Sequence, residues 1–391
     1  MKAFLKLQYR YKICYTLIHL MKRSFKYFLI ALTIASVLLI LFHFTRQNQI
    51  KIGLAVTLTG VYPDLGREIR DGALLAVELI NENGGINGKK VRLIIKDNKY
   101  NSEIAKMNYE KFLKEGVVAV IGPATSTTAK NILPLLNEKK LLSIAPTPTS
   151  TELAGLDDYL LRLRPTNKEE AETLADYIRK NPKIKKIAIV YDVINPTYTE
   201  DFIKNFRSHL DKNLNIHLHP FDEKKRNIKY YSKEIINQSN DAVILLIDVY
   251  NAALFIQCIK SLKPDILIFT TIWAKSPRLI EYGGKYAEGV LTVDIIEYCK
   301  EDRANAEIRK RFFEKYGRPM SYASINGFDA VMIIKKAIEN GATQKNIKET
   351  ILKIKKFEGL QGEIIFDEFG DRKIKPFILR VENNEYRRVA Q

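Results

Sequence analysis

From Ile50 onward the chain alternates between short apolar runs and amphipathic stretches, and this rhythm restricts its possible folds more than any other feature. "IKIGLAVTL" reads as a buried strand. "REIRDGALLAVELINEN" reads as a helix with Ile69, Ala73, Ala76, Val77 and Ile80 on one face. "GGINGKK" is a turn, "VRLIIKD" a strand, and "EIAKMNYEKFLKEG" a helix ending in glycine. "VVAVIG" and "LLSIAP" are strands on either side of another helix. The pattern resumes with "IKKIAIVYD", "TEDFIKNFRSHL", "NIHLHP", "NIKYYSKEIINQS", "DAVILLID", "YNAALFIQCIKSL" and "DILIFTT". Such alternation predicts an α/β protein with parallel sheets covered by helices on both faces. The 391 residues have room for two doubly wound sheets, with the break near "YLLRLRPTNKEE".

Ahead of this body, "YFLIALTIASVLLILFHFT" runs over residues 27–45 without a charged side chain. Its length is close to the ~20 residues a helix needs to cross a bilayer. The first 46 residues hold eight bases and no acid, most of them before the apolar run, so the N-terminus is expected inside and the body outside. The run ends in "LFHFTRQNQ", bulky and polar rather than the small residues of a cleavage site. An uncleaved transmembrane anchor is therefore the favoured expectation and a cleaved signal the alternative. No cysteine follows to carry a lipid. Residues 1–26 form a short basic cytoplasmic segment. "MKRSFKYFLIALT" from Met21 is itself a good start, so residues 1–20 are either a tail or an artefact of start-site choice.

The formal net charge is +18, yet downstream bases are interleaved with acids, as in "NEKKL" and "IEYCKEDR". This reads as solvated surface and not as a nucleic-acid face. Cys14, Cys258 and Cys299 show no metal-ligand spacing, and unpaired thiols are the simplest reading. His217 and His219 share a strand face without a third ligand nearby, which favours an exposed strand over a metal site. Phosphate-loop, dinucleotide, nucleophile-elbow and zinc-protease motifs are missing. No cofactor is expected. Asp97, Asp192 and Asp248 stand at strand ends but form no evident acid/base pair, so binding fits better than catalysis.

In open sheets of this kind, ligands bind beyond the carboxyl ends of the strands. "IGPATSTT" (121–128) and "IAPTPTSTEL" (144–153) occupy two such ends, one βα unit apart. Both offer helix-start amides and Ser/Thr hydroxyls without charge, which suits a carboxylate or another small anion. Each alone reads equally well as an N-cap. Two side by side favour a site.

From about Ile50 to the C-terminus the chain resembles the leucine/isoleucine/valine-binding class of type I periplasmic binding proteins, the solute receptors of branched-chain amino acid ABC transporters. The residues that carry the resemblance include "IKIGLAVTLTG", "GREIRDGALLAVELINENGGINGKKVRLIIKDN", "VVAVIGPATST", "LLSIAPTPTSTEL", "LRLRPTN", "GGKYAEGV", "YGRPMSYASINGFDAVMIIKKAIENG" and "FEGLQGEIIFDEFGD", in the family's order. The resemblance implies two lobes joined by three crossovers and closing by hinge motion. Lobe one would span about 50–164 and 294–357, and lobe two about 165–293 and 358–391. Carried over, Ser126 and Thr149 become the carboxylate contacts, with Ala124, Thr125 and Thr147 nearby. Tyr198 and Tyr250 fall where family tyrosines close over the ligand, although each could equally pack at the lobe surface.

One departure stands out. Where amino-acid-binding members often carry an acid for the ligand ammonium, "TTIWAKS" places Trp273. Either Asp248 substitutes, or the ligand is not an amino acid. The ring would stack on a flat or apolar ligand group or pack in the core. Thr125 also stands where the family has a cysteine, so no disulfide is expected there. The expectation is a membrane-anchored, extracytoplasmic solute-binding protein presenting an amino acid or similar carboxylate or amide to ABC permease subunits. The alternatives are a sensor module with a separate signalling partner and, with no nucleophile or metal to support it, a hydrolase.

Overall fold

The computed structural model describes residues 49–210, 213–225, 227–295 and 303–389, together with a few positions before Gln49. Met1–Gln49 separates from Ile50–Gln391 as its own unit. The apolar stretch 27–45 lies mostly outside the described residues, as do Cys14 and Cys299. Among the described residues no helix is long and apolar enough to cross a membrane.

Ile50–Gln391 is built on two sheets. The first has the order β2 (Val91–Asp97), β1 (Ile50–Val56), β3 (Val120–Ile121), β4 (Ser143–Ala145), β5 (Leu160–Arg162), all parallel. β1 and β2 align from Ile50 opposite Val91 to Val56 opposite Asp97. Alternate residues of β1 feed two cores. Ile52, Leu54 and Val56 meet helices Pro63–Glu82 and Tyr322–Glu339, and Ala55 meets Ser102–Glu115 and Ser126–Lys139. Ile69, Ala73, Ala76, Val77 and Ile80 are buried, as their spacing predicts. The helix they occupy crosses Tyr322–Glu339 nearly backbone to backbone. A Cβ on Gly72 would lie 1.8 Å from the Ser324 carbonyl oxygen, and one on Gly327 2.2 Å from that of Ile69.

The second sheet runs β14 (Glu385–Arg388), β13 (Phe377–Glu382), β10 (Leu291–Asp294), β9 (Leu267–Thr270), β8 (Ala242–Leu246), β6 (Lys186–Asp192), β7 (Asn215–Phe221). Its first five strands in chain order are parallel. β13 and β14 add an antiparallel hairpin at the edge, so this sheet is mixed and not purely parallel. The cause is local: Asn383 and Asn384 both take positive φ (54° and 62°), the geometry of a tight two-residue hairpin turn. Ala188 and Val190 face one core, Ile187 and Ile189 the other. His217 and His219 lie on edge strand β7 and bond Asn240 and Gln238; His219 is buried, not exposed. Among the described residues no cluster could hold a metal ion.

The chain passes between the sheets three times, and the last passage comes later than the resemblance implies. β11 (Lys356–Gly359) and β12 (Gly362–Ile365) bury Phe357, Leu360, Ile364 and Phe366 in the first lobe's core. Their apolar face holds the chain there well past residue 357. Buried charge ties the passages together. Arg162 pairs with Asp371 at 2.5 Å, Arg164 with Asp294 at 2.9 Å, and Lys275 also contacts Asp294. Arg162, Arg164, Lys275 and Asp294 are at most 1% exposed.

Candidate functional site

The two predicted junctions sit side by side at the carboxyl edge of the first sheet. β3 ends at Ile121, followed by a cis Gly122–Pro123 bond. Gly122 has φ 125°, and a Cβ there would meet the Ala55 carbonyl oxygen at 2.2 Å, so no larger residue fits. Helix Ser126–Lys139 starts directly after, and its first amides have no preceding turn to bond.

The loops are stitched to each other. Thr147 donates its hydroxyl to the Ala124 carbonyl at 2.5 Å. Ser126 Oγ accepts from the amides of Thr149 and Ser150 at 3.2 and 3.3 Å, which leaves its own proton to give. Thr125 donates to Thr128 Oγ1 at 2.9 Å. Thr149 is otherwise engaged: its hydroxyl donates to Asn167 Oδ1 at 2.7 Å and its carbonyl accepts the Asn167 amide at 2.6 Å. Thr149 therefore stands behind the rim as a brace and does not face the cleft as a contact.

Across the cleft, the second sheet presents Asp192 at the end of β6. Its Oδ1 accepts the amides of Ile194 and Asn195, both at 2.8 Å, and its Oδ2 accepts the hydroxyl of Tyr62 from the first lobe. Burial pushes the Asp192 carboxyl up to about 6, with the Tyr62 bond pulling it back. Burial and the neighbouring Asp192 also drive the Tyr62 hydroxyl far above its ordinary value. Tyr62 has φ 54° directly before Pro63, a left-handed conformation uncommon for a bulky residue and held here by contacts from both lobes. Thr127 donates its amide and hydroxyl to Asn195 Oδ1 at 3.2 and 2.9 Å, and Thr151 donates its amide to Asp201 at 2.8 Å. Trp273 is wedged edge-on between Tyr62 and Tyr198, with ring centres 5.2 and 5.4 Å away. Tyr198 is buried and donates to Thr271 Oγ1 at 2.6 Å.

Two adjoining cavities result. The smaller, about 20 Å³, has Ala124, Thr125, Ser126 and Thr147 on one side and Asn195, Tyr198 and Trp273 on the other. The larger, about 210 Å³, lies beyond Trp273 and Tyr322, which with Leu65 border both. Asp248 and Tyr250 belong to this second chamber. Asp248 caps helix Val249–Leu262, accepting the amides of Tyr250 and Asn251 at 2.9 and 3.2 Å. Burial, then Glu223, raise its carboxyl.

The structure thus brings Ala124, Thr125, Ser126, Thr147, Tyr198 and Trp273 around one space, places Asp248 and Tyr250 around the next, and sets Thr149 behind the wall. Tyr62, Asn195 and Tyr322 are members that residue patterns do not expose. "VYPD" marks a helix start at Pro63 but not that the preceding ring reaches across the cleft.

A cleft between two α/β lobes, with strand-end loops facing each other across it, defines a solute-binding protein of the two-lobed kind. The chain belongs to the periplasmic binding protein family, whose model matches residues 49–382. The Leu/Ile/Val-binding protein homolog 3 of Brucella melitensis is 26% identical over 331 residues, covering 83% of this chain and 88% of that one. The isoleucine complex of the branched-chain amino acid transporter substrate-binding protein LivJ from Streptococcus pneumoniae has a TM-score of 0.78 at 22% identity, over 86% of this chain and 97% of that one. A solute-binding protein of an ABC transporter from Rhodopseudomonas palustris, in complex with 3,4-dihydroxybenzoic acid, gives 0.75 at 18%, over 88% and 96%. Family membership implies a ligand-binding protein that acts outside the cytoplasm.

Proposed function

We propose that this chain is the substrate receptor of a branched-chain amino acid-type ABC transporter, holding an amino acid or related small carboxylate between its lobes and delivering it to the permease. The stitched rim at Ala124–Ser126 and Thr147 carries this reading. It sets the start of helix Ser126–Lys139 and the Ser126 hydroxyl beside the small cavity, groups that suit a carboxylate. Tyr198 and Trp273 would close over the solute from the second lobe. Residues 27–45 would hold the binding domain at the outer face of the membrane, with residues 1–26 inside. The Leu/Ile/Val-binding name of the Brucella relative supports the amino-acid class, and the dihydroxybenzoate complex shows the same fold around a different carboxylate.

Thermal unfolding of the full chain against amino acids, amides and benzoates tests the proposal. A true solute at a hundred times its dissociation constant adds about 2.7 kcal/mol. Ser126→Ala should reduce that shift. An undiminished shift would remove the carboxylate from this rim.

A further inference from the structure

The larger chamber has a chemistry of its own, and its assignment rests on reading the cleft as a solute site. Both lobes wall it: Tyr62, Glu68 and Tyr322 from the first, Asp248, Tyr250 and Trp273 from the second. Four of its wall residues are carboxylates (Asp64, Glu68, Glu223 and Asp248) against one guanidinium, Arg278, in a chain whose formal net charge is +18. Four of the other ten wall residues are aromatic: Tyr62, Tyr250, Trp273 and Tyr322. Arg278 lies 3.4 Å from Asp64 and 4.0 Å from Glu68; Asp64 also has Arg67 at 3.8 Å, and Glu68 accepts from Arg318 at 2.5 Å. Asp248 is held differently: its hydrogen bonds come from neutral donors, the amides of Tyr250 and Asn251 and the Asn251 side chain. Burial raises the carboxyls of both Glu68 and Asp248; Arg318 and Arg278 oppose the rise at Glu68, and the Asn251 hydrogen bonds oppose it at Asp248.

We propose that this chamber receives an organic cation, an ammonium or guanidinium group at the end of the solute remote from its carboxylate. Ring faces attract such a group through their quadrupoles, and the carboxylates supply its counter-charge. The order of the cavities sets the layout. The acid head would meet the uncharged rim at Ser126, the chain of the solute would pass Trp273, and the charged end would lie beside Asp248. Carboxylates interleaved with aromatic side chains suit an organic cation; a metal ion needs several oxygens converging on one point, and among the described residues no group of acids could hold one.

Isothermal titration of the full chain with arginine, lysine, agmatine, leucine and benzoate tests this. Arginine or lysine should bind at least about tenfold more tightly than leucine. Asp248→Asn should erase most of that preference while the protein stays folded, because asparagine caps a helix as well as aspartate does. Leucine binding as tightly as arginine and lysine would overturn the cation chamber and leave the solute-receptor reading intact. Agmatine, which lacks the carboxylate, matching arginine would keep the chamber and overturn the acid-binding rim. No heat from any probe at millimolar concentration would overturn both.

Discussion

The two rims of the cleft are made differently. At the small cavity the first lobe's rim is mostly small residues, backbone amides and hydroxyls, bonded loop to loop. The second lobe's rim is large side chains, with Tyr198 and Trp273 over the small cavity and Asp248 and Tyr250 over the large one. A rim braced by its own hydrogen bonds tolerates little variation and suits the part of a solute common to a class. A rim of projecting side chains sets which member of the class fits. In the proposed receptor, recognition and selection would be divided between the lobes.

The harshest challenge to this division leaves both rims alone and cuts what holds them apart. Asp371→Ala strands the buried Arg162 guanidinium and should cost about 3–5 kcal/mol in urea denaturation. If the rims are self-sufficient, the molecules that remain folded still rank solutes as before. Next comes Trp273→Ala, which removes the ring wedged between Tyr62 and Tyr198 and should cost about 3 kcal/mol in the same assay. It should also reorder the solutes in titration. An unchanged order would deny the second lobe its selecting role.

Glu170 gives a third, pH-dependent handle. It lies fully buried 3.9 Å from Arg164, both its oxygens lack hydrogen-bond partners among the described residues, and burial pushes its carboxyl up to about 8. An acid raised above its ordinary value carries no pH-linked penalty while protonated in both states, and the penalty grows as pH rises from the unfolded value to the folded one. The wild type should therefore lose melting temperature between about pH 4.5 and 8 relative to Glu170→Gln. A constant difference across that window would show that Glu170 does not titrate there. The smallest effect separates the two rims most finely. Ser126→Ala should cost about 1 kcal/mol in stability and weaken every solute by a similar factor, measured by titration with at least two solutes.

Much of the fold is legible in the chain because period and burial agree. Ile69 to Ile80 mark a helix face, and Ile187 to Val190 can only be a strand covered on both sides. The edge hairpin at Asn383–Asn384 breaks the parallel rhythm through turn chemistry that apolar periodicity does not register. The late third passage depends on Phe357, Leu360, Ile364 and Phe366 finding the first lobe's core, a tertiary choice that neighbouring residues do not reveal. The strand-end loops at 121–128 and 144–153 are readable from composition. Thr149's engagement with Asn167 and the reach of Tyr62 to Asp192 are not, since each joins side chains far apart in the chain.

The charged pairs at the passages have a mechanical consequence. Arg162–Asp371 and Arg164–Asp294 are buried, where dissolved ions screen them far less, so added salt would leave these ties nearly as strong as before. The Asp64–Arg278 pair at the cleft mouth is open to water and weakens with ionic strength. In the proposed receptor, a saltier exterior would then change how readily the jaws part while leaving the axis on which they would swing intact.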